Sequence, residues 1–139
     1  MIHKYVVPEN RDNLPYRIPR DFFHTNVPNK DTFISPKHAI ILKKNMVTYP
    51  NVLGLTQENP SGDTIEYYHV EVPDFENDYV IVNNMMVEGY ANDFMNKKNK
   101  KMILKLLVRD DKDRRVYHRE FIDAGSLPPS ITKSTDFSQ

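Results

Sequence analysis

The chain has 139 residues, and its 19 basic and 19 acidic side chains give a formal net charge of zero; it contains neither Cys nor Trp. A chain of this length accommodates one domain. The lack of Cys excludes disulfides, thiolate nucleophiles and Cys-ligated metals, and the neutral charge argues against a surface that attracts nucleic acid or anionic lipid everywhere.

Taken in chain order, residues 1–36 are predicted to form an extended arm. Five of the ten prolines lie there and leave no window long enough for a helix. The segment is nevertheless richer in apolar and aromatic residues than a disordered linker. We expect this arm to pack on a partner protein. Its predicted partner-binding residues are Tyr5, Val7, Tyr16, Ile18, Phe22 and Phe23.

Residues 37–122 are predicted to form a β domain, because apolar and polar residues alternate with the period of half-buried strands. The clearest strand is 101–109. It should bury one face and leave Lys101 and Lys105 on the other. The residues expected on the buried face are Met102, Leu104, Leu106 and Val108. A polar turn follows, and residues 116–122 continue as the second strand of a hairpin.

Further strands are predicted at 39–49, 52–56, 65–72 and 79–87, with a short helix near 91–98. Residues 123–139, which include Pro128 and Pro129, are predicted to be a polar C-terminal tail. About six short strands with one helical turn indicate an all-β fold. We expect a small antiparallel sandwich or barrel.

Charge is segregated along this neutral chain. Residues 61–96 carry a net charge of −8, and residues 97–122 carry +6. If the strands of the two segments are neighbours, opposite charges stabilise their pairing. If the segments lie at opposite ends, the monomer is a dipole that docks head-to-tail on copies or on complementary partners.

Motifs for catalysis or cofactor binding are missing from the sequence. Four glycines form no phosphate-binding loop, and no G-x-S-x-G motif occurs. The five histidines are scattered singly. His69 and His118 could meet across a sheet, although ordinary polar histidines are the favoured interpretation. We therefore expect no enzyme activity, no catalytic residue, no cofactor and no metal site.

A basic block at 97–119 supports an alternative function. Together with nearby aromatic residues, it could follow phosphates and stack bases, as small β-barrels that bind single-stranded nucleic acid do. The residues that would contact nucleic acid are Lys97, Lys98, Lys100, Lys101, Arg114 and Arg115.

The favoured function is structural. An aromatic arm next to a compact β domain is typical of assembly proteins, because an extended segment can add to a neighbour's sheet. Thirteen Asn and twelve Lys against three Ala reflect AT-rich codons, which many viruses use. We expect a non-enzymatic capsid, connector or tail component of a virion, with copies of itself or other subunits as partners. No small-molecule substrate is expected.

The expected location is the virion or the host cytoplasm. The apolar runs are far shorter than a membrane-spanning helix needs. The first residues also lack the long apolar stretch of a secretion signal. We therefore expect neither a transmembrane segment nor secretion by a signal peptide.

Overall fold

A computed structural model describes residues 2–8, 12–59, 64–75, 77–91 and 101–123. These residues form eleven strands and one 3-10 turn, so the all-β prediction is confirmed. The strands are β1 (Ile2–Pro8), β2 (Tyr16–Ile18), β3 (Thr32–Ile34), β4 (Ile40–Lys43), β5 (Met46–Thr48), β6 (Thr64–Val72), β7 (Tyr79–Val82), β8 (Met85–Glu88), β9 (Tyr90–Ala91), β10 (Lys101–Arg109) and β11 (Arg115–Asp123). The 3-10 turn is Pro50–Val52. Apart from residue 91, the predicted helix lies outside the described residues, as does the predicted tail beyond residue 123.

The largest sheet has six strands in the order β10-β11-β5-β4-β8-β7, and every neighbouring pair is antiparallel. The predicted number of six strands therefore fits this sheet but not the described chain, which has eleven. The predicted strand 79–87 is divided into β7 and β8 by Asn83 and Asn84, whose φ angles are 49° and 69°. Two consecutive left-handed residues close a tight hairpin, and Asn tolerates this conformation better than most residues.

The hairpin of β10 and β11 is formed as the sequence predicts. Its register runs from Lys101 opposite Asp123 to Arg109 opposite Arg115. Asp110 organises the turn, because its carboxylate accepts hydrogen bonds from the backbone amides of Lys112 and Arg114 at 2.9 and 2.7 Å. The strand prediction therefore holds to within a residue at each end.

A second sheet has the order β1-β6-β9. β1 is antiparallel to β6, from Ile2 opposite Val70 to Pro8 opposite Thr64, and β9 is parallel to β6. Gly89 is required where β9 approaches β6. A Cβ atom there would lie 2.5 Å from a methyl group of Val72, which is closer than atoms can pack.

The main core joins the first part of the chain to the six-stranded sheet. Ile18 of β2 and Phe23 are 0% and 3% exposed. They cluster with Ile40, Met85 and Val87 of β4 and β8, and Phe22 packs against this cluster. The prediction that Ile18 and Phe23 bind a partner is therefore wrong. Prolines prevent a helix in this segment, but they allow short strands and turns to pack on the chain's own sheet.

The predicted burial pattern of β10 is also wrong. Leu106 is 56% exposed, and Leu104 and Val108 are only half-buried, while Lys105 is as covered as they are. β10 is the terminal strand of the six-stranded sheet. The described residues place no second layer over Leu106, so alternation there reports which side chains share a face and not which face is buried.

Candidate interaction site

Strands from the two charged segments form the two ends of the six-stranded sheet. β10 and β11 form one end of the sheet, and β8 and β7 form the other, with β5 and β4 between them. β10 carries three cations and no anion, whereas residues 74–88 carry four acidic residues and no basic one. We call β10 and β11 the basic end, and residues 74–88 the acidic end. The two segments also meet, because Glu88 of β8 pairs with Arg119 of β11 and the ring of Phe75 contacts that of Phe121.

Cations oppose each other within the basic end. Lys105 lies directly opposite Arg119, and Arg109 lies directly opposite Arg115. Like charges at directly opposed positions of an antiparallel pair are destabilising. The hairpin therefore retains positive charge that an acidic partner can neutralise.

Two of these cations are compensated inside the chain. The Lys105 ammonium lies 4.8 Å from the centre of the Tyr49 ring, within cation–π range. Arg119 is 8% exposed, and its guanidinium donates to the carboxylate of Glu88 over 2.9 Å. Arg119 also lies over the ring of Phe121. This ion pair links the basic end to β8, so the fold neutralises its most buried cation itself.

Both outer strands carry exposed apolar side chains. On β7, at the acidic end, Ile81 is 63% exposed and Tyr79 is also exposed. On β10, at the basic end, Ile103, Leu106 and Leu107 are exposed. Within the described parts of the chain, neither strand has a neighbour on its outer side. Open edges with apolar side chains are templates for pairing with another chain.

A groove of about 630 Å³ lies on one face of this sheet. Ile41, Val47 and Met86 are among its lining residues. The rings of Phe75 and Phe121 meet edge to face at 5.7 Å and help to close one side. Charged side chains from both ends of the sheet, including Asp78 and Arg119, also line the groove.

Of the predicted nucleic-acid residues, Arg114 is held by internal contacts. Its guanidinium donates to Asp110 over 2.7 Å and to the carbonyl of Phe22 over 3.3 Å. Partial burial raises the pKa of Asp110, but the hydrogen bonds from Arg114 and from the amide of Lys112 outweigh it, so the net shift is downward. Arg115 is exposed at the start of β11, and Lys101 begins β10. Lys97, Lys98 and Lys100 lie outside the described residues.

The remaining predicted arm residues lie on strands of the same chain. Tyr5 is opposite Tyr67 and Val7 is opposite Ile65 in the pairing of β1 with β6. Tyr16 is opposite Ile34 in the pairing of β2 with β3. In the monomer, the arm residues therefore pair with the chain itself.

The histidines form a different group from the predicted one. His69 does not meet His118. Its ring packs edge to face on His38 at 6.2 Å, and His3 is its partner on the neighbouring strand. His118 instead contacts Glu120 at 3.1 Å. Burial lowers the pKa of His69, and the nearby His38 and His3 lower it further.

Within the described ranges, no group of three His, Cys, Asp or Glu residues is arranged to hold a metal ion. None of the helical segments described is long and apolar enough to cross a bilayer. Comparison with protein families, with curated proteins and with solved structures finds no match to this chain.

The sequence pattern did not identify Tyr79 and Ile81 as residues of a sheet edge. Their segment reads Tyr-Val-Ile-Val, which is apolar on both faces and therefore typical of a buried central strand. The available signal was the acidic run immediately before it, because charges beside a strand often mark a sheet edge. The pairing of Glu88 with Arg119 had no local signal, since 31 residues separate the two.

Proposed function

We propose that this protein is a non-enzymatic structural subunit of a large assembly, and that it docks on neighbouring subunits through the two ends of its six-stranded sheet. One observation carries the proposal. β10 and the segment that contains β7 bear opposite charge, and within the described residues β10 and β7 are edge strands with exposed apolar side chains. Complementary charge orients and accelerates docking, while apolar side chains and backbone groups at the edge supply contact.

The proposed setting is a virion, in which the chain serves as a capsid, connector or tail component. The Asn- and Lys-rich, Ala-poor composition supports this setting, because AT-rich genomes produce it. Within the arm, β1 is the part that best supports a docking role. Ile2 and Val6 are exposed on this edge strand of the second sheet, whereas Ile18 and Phe23 are committed to the core.

Sedimentation velocity tests the assembly proposal. Wild-type protein should associate with increasing concentration at about 50 mM salt and dissociate at about 500 mM, because screening weakens contacts between exposed charges. Arg109→Glu reverses an exposed charge of the basic end and should reduce association at least about tenfold. Lys43→Glu is the matched control, since it makes the same kind of change at an exposed position on the central strand β4. Monomeric wild-type protein at every concentration would refute self-association.

Single-stranded nucleic-acid binding by the basic block remains the second candidate. The directly opposed Arg109 and Arg115 favour it, because phosphates would relieve their repulsion. The internal contacts of Arg114 weigh against it. Fluorescence anisotropy with a labelled oligothymidylate at about 50 mM salt measures binding directly. Replacement of Lys97, Lys98, Lys100 and Lys101 by Gln should abolish any binding, and no binding by the wild type removes this candidate.

A further inference from the structure

The edge strands of the six-stranded sheet run in opposite directions. Neighbouring strands are antiparallel throughout. Because the number of strands is even, β10 at one end is antiparallel to β7 at the other. A second copy that is shifted sideways without rotation therefore brings its β10 antiparallel to β7 of the first copy, with the same faces of both sheets on the same side.

We propose that the neighbour is a second copy of this chain, and that β10 of one copy pairs antiparallel with β7 of the next to continue the sheet between them. This inference rests on the assembly function proposed above and specifies its partner and its contact. The interface is head-to-tail, because it joins two different surfaces and leaves a free basic edge and a free acidic edge on every dimer.

Charge selects this pairing over the pairing of two identical edges. Two β10 strands side by side would bring together the cations of both copies, including Lys105 and Arg109, which is unfavourable. Antiparallel pairing with β7 instead directs the end of β10 that carries Arg109 towards the start of β7, which Asp78 immediately precedes. Asp78 of one copy therefore provides a counter-charge for Arg109 of the next.

The exposed apolar residues also fall on matching faces. Along the paired strands, Ile103 and Leu107 of β10 share a face with Tyr117 and Val47. The pairing of β4 with β5 and β8, and of β8 with β7, extends this face to Ile81. In a continued sheet, the apolar side chains of β10 and β7 would therefore be cross-strand neighbours. Leu106 points to the opposite face.

Engineered cysteines test the contact, and the chain has no native Cys to interfere. Ile81→Cys protein is mixed with Ile103→Cys protein, and separately with Leu107→Cys protein, under mild oxidation. A disulfide requires Cα atoms within about 7 Å and Cβ atoms directed towards each other. Cross-strand neighbours on one face meet both conditions, whereas the Cβ atoms of residues on opposite faces point apart. Mass spectrometry of the mixed dimer should identify the link in at least one mixture, at roughly ten times the yield of the control mixture. That control combines Ile81→Cys with Leu106→Cys, because Leu106 lies on β10 like Ile103 and Leu107 but points to the opposite face.

The possible results separate this inference from the assembly proposal. Selective linkage of Ile81→Cys with Ile103→Cys or Leu107→Cys supports the inference. If wild-type protein associates in sedimentation but test and control mixtures link equally, the strand assignment is wrong and the assembly proposal stands. Efficient linkage of Leu107→Cys only with itself would identify a twofold β10 contact and overturn the inference. Monomeric wild-type protein without selective linkage overturns both.

Discussion

Replacing Ile18 with alanine removes three carbon atoms from a side chain that is 0% exposed in the core shared by β2, β3, β4 and β8. At about 0.8 kcal/mol per buried carbon, the lost transfer free energy is roughly 2.5 kcal/mol. The cavity left in this cluster, which includes Ile34 and Met85, adds to this loss, because a packed core relaxes only partly. The free energy of unfolding should therefore fall by about 3–4 kcal/mol, which corresponds to roughly 10 °C in Tm.

Urea denaturation followed by far-UV circular dichroism measures this loss, with tyrosine fluorescence as a second probe because the chain has no Trp. Val6→Ala is the control, since Val6 is 58% exposed on β1 and its truncation should change stability by less than about 0.5 kcal/mol. If Ile18→Ala changes stability no more than Val6→Ala does, residues 16–34 are a detachable arm, and their assignment to the core is wrong.

Three further predictions concern side chains away from this position. Burial raises the pKa of Tyr67 from 10.0 to about 12. The contribution of this residue to the free energy of unfolding is therefore fully present below pH 10 and is lost as the pH rises towards 12. Urea titrations at several pH values should show this loss in wild-type protein but not in Tyr67→Phe. Burial lowers the pKa of His69, and the nearby His38 and His3 lower it further. The contribution of this residue to the free energy of unfolding is therefore fully present above the unfolded pKa of 6.5 and is lost as the pH falls through the lower folded value. His69→Phe should make the free energy of unfolding less dependent on pH in this range. Glu88→Gln removes the charge partner of the buried Arg119 and should lower the free energy of unfolding by roughly 1–3 kcal/mol. A double-mutant cycle with Arg119→Met measures the coupling between the two side chains. Strictly additive losses would contradict the prediction.

Local pattern was sufficient to predict the hairpin of β10 and β11, because alternation and a polar turn are properties of neighbouring residues. It was not sufficient to predict the exposure of Leu106. Alternation assigns side chains to one of two faces, but the packing of another layer decides which face is buried. Ile18 and Phe23 show the opposite error. Their proline-rich surroundings indicated an arm, yet the partner surface that buries them belongs to β4 and β8, further along the same chain.

The candidate site was predictable in charge but not in geometry. The net charges of residues 61–96 and 97–122 follow directly from the sequence. Whether these charges attract each other within one molecule or lie apart depends on strand order. That order is set by pairings between distant residues, such as Tyr117 with Val47. No periodicity in either segment contains this information.

The pairing of β1 with β6 has a consequence for synthesis. The two strands are separated by roughly 60 residues of chain, so at about 5–20 residues per second the ribosome finishes β6 several seconds after β1. During that interval, Ile2 and Val6 have no strand to pair with on their own chain. Neighbouring chains on one polysome are at different stages of completion, and an earlier chain can already present its β6. Refolding from denaturant removes this delay, because both strands of each molecule are then present from the start.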